Sequence, residues 1–171
     1  MNRGLFSSDF IAAVMIFIAA LLIVGPMWNS LNAQVFNLEE NRKIHMASLQ
    51  VSDILLRTSG SPSGWNETFV YSIGISDELR IINATKAKYF YQFMASNYSE
   101  AKFMLGAGAY ELAAQILDSN GDPIIIDGIA FSSGSIPANA LEISNVQRIA
   151  ILKISENERK FVNLKIQLWT I

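Results

Sequence analysis

The chain has 171 residues, of which 51% are hydrophobic and only 16% are charged, and its formal net charge is −2 at pH 7. This charge balance argues against a nucleic-acid-binding protein, which normally carries a basic stripe or patch. There is no cysteine and a single histidine, His45, which excludes disulfides, cysteine nucleophiles, thiolate metal sites and zinc motifs built on paired histidines. We therefore expect no enzymatic activity, no metal site and no cofactor.

Charged residues are distributed unevenly along the chain. Only Arg3 and Asp9 are charged before Glu39, whereas the remainder has the mixture of charged and apolar residues of an ordinary globular protein. That remainder is long enough for one hydrophobic core and too short for two. The sequence therefore predicts an apolar N-terminal segment joined to a single globular domain.

The first predicted element is a long apolar helix. Residues 10–38 carry no charge, and this run exceeds the roughly 20 residues that span the hydrocarbon core of a membrane. A cleaved secretory signal peptide is the alternative, but its apolar region is about 7–15 residues long and precedes a small-residue cleavage site. The only candidate exit here, at residues 32–34, fits that pattern poorly. Arg3 predicts a cytoplasmic N-terminus with the domain outside.

Asp9 lies at the start of this apolar run and has two interpretations. Ser7, Ser8 and Asp9 are all acceptable helix N-caps, and an acid in the first turn is stabilised by the helix dipole. A carboxylate inside a membrane segment instead costs about 2.5–3.5 kcal/mol at the bilayer centre and usually has a specific partner. Spacing alone leaves both interpretations open.

The string RGLFSSDF at residues 3–10, followed by the apolar helix, resembles the class III signal peptide of type IV pilins, especially archaeal ones. In that family a membrane aspartyl peptidase cuts after the glycine, and an acid occupies the fifth mature position. The resemblance implies cleavage between Gly4 and Leu5, with Ser7 third and Asp9 fifth. Two positions depart from the commonest archaeal pattern, which has glutamine in place of Leu5 and glutamate in place of Asp9.

The resemblance also assigns assembly roles to Asp9, Phe10 and Pro26. Cleavage exposes the amino group of Leu5, and the amine of a neighbouring subunit can then neutralise Asp9 inside an apolar bundle. Gly25-Pro26 allows a kink or a locally stretched helix, as in many type IV pilins. An ordinary membrane-helix proline without a special role is the alternative.

Beyond the apolar run, the sequence predicts that the helix continues, over residues 8–57 in total. Its second half carries a core-facing stripe of Ile44, Val51 and Leu55. The following segment TSGSPSGWN, residues 58–66, breaks the helix by its glycines and proline. It also resembles the loop after the first helix in many archaeal pilin-like chains.

The sequence of the rest of the chain predicts a body that contains both helices and strands. Asn83 and Asn97 are expected to begin two short helices, and Asn120-Gly121 is a strong hairpin signal. The predicted helices are 84–95 and 98–105, and the predicted strands are 68–75, 79–82, 110–117, 123–126, 141–154 and 160–169, the last two joined across 155–158. The fold class is therefore α+β: a long N-terminal hydrophobic helix, as in the ladle shape of pilins, with a C-terminal antiparallel sheet packed on it.

Three N-x-[ST] sequons occur, at Asn66, Asn83 and Asn97. An exported body would expose them to N-glycosylation. Composition alone accounts for nearly this many, and Asn83 and Asn97 have separate expected roles as helix caps. Asn66, in a loop, is the best candidate of the three.

These features together predict a leader at residues 1–4, a helix at 5–58 and a β-rich head at 59–171. The resemblance implies a structural subunit of a type IV pilus-like adhesion filament, held in the membrane before assembly and extracellular afterwards. Its expected partners are related pilin subunits, a prepilin peptidase, an assembly ATPase and its membrane platform, with no nucleic acid. The alternative is a permanently anchored single-pass protein with an external ligand-binding domain, which predicts an uncut leader.

Overall fold

The structure is a computed structural model that describes residues 5–134, 136 and 138–170, without the side chains of residues 5–8 and 37. The chain divides into two compact units, Met1–Glu40 and Asn41–Ile171. We call the second unit the body and describe each unit by itself.

One helix, α1 (Leu5–Arg57), accounts for the described part of the first unit and continues into the body. It begins three residues before residue 8, the start that the residue pattern predicts, and its end at Arg57 agrees with that pattern. The only glycine and proline in it are Gly25 and Pro26, and the straight-chain and alanine residues elsewhere favour a helix. The predicted long helix is confirmed.

In its described residues, the body continues with two helices and eight strands. Their bounds are β1 (Ser76–Glu78), β2 (Ile81–Asn83), α2 (Ala84–Ser96), α3 (Tyr98–Met104), β3 (Glu111–Leu117), β4 (Ile125–Ile126), β5 (Ile129–Ala130), β6 (Ser132–Ser133), β7 (Ile143–Lys153) and β8 (Arg159–Trp169). Six strands form one sheet in the order β1-β2-β7-β8-β3-β6, and β4 pairs with β5 separately. The α+β fold class is confirmed.

Most neighbouring strands in the sheet are antiparallel, and one pair is not. The β7–β8 hairpin runs without a register break from Ile143↔Trp169 to Lys153↔Arg159, as the sequence predicts. By contrast, β2 and β7 are parallel. These two strands lie far apart in the chain, so a long connection that includes both short helices can join them, whereas a tight hairpin can join only antiparallel strands.

The body has one hydrophobic core. The predicted stripe of Ile44, Val51 and Leu55 is buried in it. On the sheet, alternate residues of β7 and β8 point into the core, as their period-two apolar pattern predicts. Phe90 on α2 and Phe131 before β6 add large buried side chains.

The predicted strand at 68–75 is wrong. This segment forms only isolated bridges, Ser61↔Ser72 and Asn66↔Phe69. The side-chain oxygen of Asn66 accepts hydrogen bonds from the backbone N–H groups of Thr68 and Phe69, so the local turn uses donors that a sheet ladder would need.

The predicted strand at 123–126 is also shorter than expected. The turn signalled by Asn120 is present, with Asp118 accepting from the backbone N–H groups of Asn120 and Asp122. Its return arm meets β3 only at the bridge Leu117↔Pro123, because the Ile116 N–H donates to the Phe131 carbonyl and the Ile124 carbonyl accepts from the Phe131 N–H.

Candidate functional site

The described part of the first unit presents an apolar helical surface. None of its most apolar 18-residue window, of mean hydropathy 2.7, is buried. The exposed side chains include Phe10 (65% exposed) and Leu22 (70% exposed). By length and composition this helix can cross a membrane. A soluble protein would normally bury such a surface, so this segment needs lipid or protein around it.

The residues of the expected cleavage and assembly site lie along this one helix. Gly4 is outside the described residues. Leu5 is the first residue of α1, and its side chain is not described. Asp9 and Phe10 follow in the next turn, and both are exposed. The cleavage and assembly roles of these residues stay predictions.

Pro26 lies inside α1, which continues as helix on both sides of it. Its ring nitrogen cannot donate the backbone hydrogen bond expected at that position. Open space surrounds Gly25, since a Cβ added there would meet no atom within 4 Å. Asp9 and Pro26 are separated by about 25 Å of helix at 1.5 Å per residue, so the structure does not bring these two residues together.

The three sequon asparagines lie at separate places in the body. Asn66 is half-buried, and its Oδ1 accepts from the Thr68 hydroxyl at 2.8 Å as well as from two backbone N–H groups. Asn83 is half-buried, and its Nδ2 donates to Asp77 at 2.8 Å. Asn97 is the most exposed, and its Nδ2 donates to Ser96.

Only one of the two expected helix caps has the expected geometry. The Oδ1 of Asn83 accepts from the backbone N–H groups of Thr85 and Lys86, at 2.9 and 3.2 Å, and so caps α2. Asn97 precedes α3 but makes no side-chain capping bond, with φ −134° and ψ 49°. The prediction that Asn97 begins α3 as a cap is wrong, because Asn97 is also the C-cap of α2 and lacks the extended backbone conformation that Asn83 has.

Trp65 is a structural residue that the sequence did not single out. It is buried in the loop after α1, and its Nε1 lies within hydrogen-bonding distance of the Ser59 carbonyl, at 3.1 Å, and the Gly74 carbonyl, at 3.0 Å. The indole contacts Gly60, whose φ of +76° favours glycine. The sequence signal for the burial of Trp65 was a large aromatic residue among glycines in an otherwise polar loop.

Charged groups in the body mainly join its elements. Lys102 donates to Glu111 at 2.7 Å, and so does the Tyr98 hydroxyl, which also accepts from the Leu112 backbone N–H. These two hydrogen bonds lower the pKa of Glu111. Burial, together with the neighbouring Glu111 carboxylate, raises the pKa of Tyr98 to about 12. The network ties α3 to β3.

A second ionic link joins β1 to α2. Asp77 accepts from Asn83 at 2.8 Å and lies 3.0 Å from the Lys86 ammonium. Burial alone would raise the pKa of Asp77, but these two contacts outweigh it and lower the pKa. The contacts of Asp77 therefore stabilise the folded body by holding β1 against the start of α2.

Among the residues that the structure describes, no three His, Asp or Glu side chains are grouped to hold a metal ion. The Nδ1 of His45 lies 3.3 Å from the Ser144 hydroxyl, a contact between α1 and β7. An open groove of about 650 Å³ lies between Lys43, Ile54 and Arg148.

Comparisons with known proteins give no family. No family model matches the chain, and neither the curated proteins nor the solved structures contain a match to it. Function is therefore inferred from the residues and geometry of the chain itself.

Proposed function

We propose that this protein is a structural subunit of a type IV pilus-like extracellular filament used for surface attachment. It is held in the membrane by α1 until a prepilin peptidase cuts between Gly4 and Leu5. The freed subunit then joins a filament through α1, while the body faces water.

The observation that carries this proposal is the exposed apolar surface of residues 10–38. A helix that is apolar on all sides needs surroundings of lipid or of other apolar helices. Packing among identical helices supplies the second of these environments. Lipid and a helix bundle are similarly apolar, so transfer between them yields little free energy. An assembly ATPase and its membrane platform are therefore proposed as partners that supply the energy.

Asp9 supports polymerisation over simple anchoring. It lies at the start of the apolar surface and is exposed, and a buried carboxylate needs a cation or hydrogen-bond donors. Cleavage after Gly4 creates such a cation at the Leu5 amino group. The amine and the acid then neutralise each other between neighbouring subunits.

The first experiment maps the N-terminus of the natural protein. Peptide mass spectrometry is applied to the membrane fraction and to filaments sheared from the cell surface. We expect protein that begins at Leu5 in the sheared filaments. An intact leader confined to membranes, without filaments, would contradict the proposal and favour a permanently anchored protein with an external ligand-binding domain.

The second experiment changes Asp9 in the same cells. We expect Asp9→Ala to lower the amount of sheared filament at least tenfold, because the amine of the neighbouring subunit loses its counter-charge. Asp9→Glu should restore assembly, and Asp122→Ala, at an exposed acid in the body, should leave it unchanged. Normal filament yield from Asp9→Ala would remove the charge-pairing step from the proposal.

A further inference from the structure

Strand β7 has one edge that is largely open. On one side β8 pairs with its whole length, from Ile143 to Lys153. On the other side β2 pairs only with the last three residues, Ile151 to Lys153. Within the described part of the chain, no strand pairs with the remaining edge, residues 143–150.

The register shows which backbone groups lie on this edge. The N–H of Ile151 donates to the Arg80 carbonyl, on the β2 side. Backbone groups of successive residues point to alternate sides of a strand, and the β7–β8 register has no break. The odd-numbered residues therefore direct N–H and C=O groups to the open edge; these are Ile143, Asn145, Gln147 and Ile149.

This edge lacks most of the usual protection against pairing. Soluble proteins block open edges with lysine, proline, a bulge, a covering segment or an inward-pointing charge, and Arg148 is an inward-pointing charge on this segment. None of the four edge residues is charged or proline. Ile143 and Ile149 are 51% and 69% exposed on the outer face, whereas Arg148 lies on the inner face, 4.0 Å from Asp53.

We infer that this edge pairs with the same edge of a second copy of the chain. The two β7 strands run antiparallel about a twofold axis through Val146. Ile143 then lies opposite Ile149 of the second copy, and Asn145 opposite Gln147 of the second copy. Isoleucine meets isoleucine and amide meets amide, so the sequence of the edge is self-complementary, as a twofold interface requires. Arg148 lies opposite Ser144 of the second copy, so the two arginines do not face each other.

The same axis also acts on the adjoining flank of α1. The open groove beside Arg148 is lined along α1 by Lys43, Met46, Gln50 and Asp53, among others. The axis that relates the strands also sets residues 41–57 of the two helices antiparallel. The groove of one copy then faces the groove of the other.

The contact is independent of polymerisation through residues 10–38. Neighbours within one polar filament run parallel, whereas this axis relates antiparallel copies. The contact therefore joins subunits of separate assemblies and gives them lateral, self-recognising adhesion.

Engineered disulfides test the register, because the chain has no native cysteine. Full-length Ile143→Cys and Ile149→Cys proteins, purified separately in detergent, are mixed and oxidised. We expect at least fivefold more covalent dimer from the mixture than from either protein alone. A mixture of Ile143→Cys with Asn163→Cys is the control, since Asn163 is the β8 partner of Ile149 and lies about 4.8 Å farther from the interface. Equal yields from the two mixtures would overturn the inference.

A second change removes one edge donor without touching the β8 ladder. Gln147→Pro, added to both cysteine proteins, deletes the outward N–H and should lower the dimer yield about tenfold. Gln147→Ala keeps that N–H and should leave the yield unchanged. An undiminished yield from Gln147→Pro at an unchanged melting temperature would overturn the inference. If Gln147→Pro lowers the melting temperature, the inference is judged by the dimer yields of the two cysteine mixtures alone. If the β7–β7 contact is lost while the filaments still assemble normally, the proposed function remains intact.

Discussion

At the residue scale, the contacts of Glu111 show how a charge can serve the fold. Its carboxylate is half-buried between the Lys102 ammonium and the Tyr98 hydroxyl, each at 2.7 Å. Both partners bind the ionised form, so the folded body holds the pKa of Glu111 below its ordinary value of 4.5. A group of this kind stabilises the fold when ionised and loses that contribution on protonation.

We predict that Glu111→Gln lowers the free energy of unfolding by about 1 kcal/mol at pH 7. The extra free energy of unfolding of the wild type is present above the pKa that Glu111 has in the unfolded chain. It is lost as the pH falls through the lower pKa that Glu111 has in the folded body. The difference should therefore narrow as the pH falls below about 4.5, the ordinary pKa of this carboxyl. Denaturant unfolding of the full chain in detergent, followed across this range, measures it. Glu158→Gln, in an exposed pair with Lys160, is the control; a pH-independent difference for Glu111→Gln would contradict the prediction.

Two buried or half-buried tyrosines should respond oppositely to loss of the hydroxyl. The Tyr98 hydroxyl has partners in Glu111 and Leu112. The Tyr91 hydroxyl is buried near the backbone of Ile116 and, among the described residues, makes no hydrogen bond of acceptable geometry. We predict that Tyr98→Phe costs about 1–2 kcal/mol and that Tyr91→Phe is neutral or stabilising. Thermal unfolding of both variants checks this, and a large loss at Tyr91 would show a bond formed in solution.

At the element scale, the start of α2 depends on one side chain, and that of α3 does not. Asn83 caps α2 with two hydrogen bonds and also binds Asp77, whereas Asn97 makes no capping bond. We predict that Asn83→Ala lowers the free energy of unfolding by about 1–2 kcal/mol and Asn97→Ala by less than about 0.5 kcal/mol. The measurement is denaturant unfolding of protein from a host without N-glycosylation. Equal losses would contradict the difference in cap geometry.

The same asparagines show where local pattern succeeds and where it fails. Both were predictable as starts of helices, and both helices form. The cap at Asn97 failed because Asn97 also ends α2, and its ψ of 49° is not the extended conformation of a capping residue. At 68–75 the apolar residues favour a strand, but Asn66 and buried Trp65 fix the segment as a turn and loop. Tertiary contacts override strand propensity when they use the same backbone groups.

At the scale of the whole molecule, the chain combines a body with a buried core and a helix whose apolar surface is exposed. We predict that Leu22→Arg sharply lowers the membrane-bound fraction and the filament yield, since a cation within a membrane segment costs about 2.5–3.5 kcal/mol. Phe103→Arg, at a residue 80% exposed on α3, adds the same charge to the body and should change neither. Membrane flotation and shearing measure the two fractions. Full retention of Leu22→Arg in membranes and filaments would contradict a role for this surface.

The sequence by itself determined the long helix, the buried stripe at Ile44, Val51 and Leu55, the cap at Asn83 and the β7–β8 hairpin. Each follows from residues that are neighbours in the chain or repeat with the period of a helix or strand. Only the tertiary structure decided the parallel β2–β7 pair, the burial of Trp65 and the open edge of β7. These depend on which distant segments meet and how far each strand extends, and local periodicity carries no information about either.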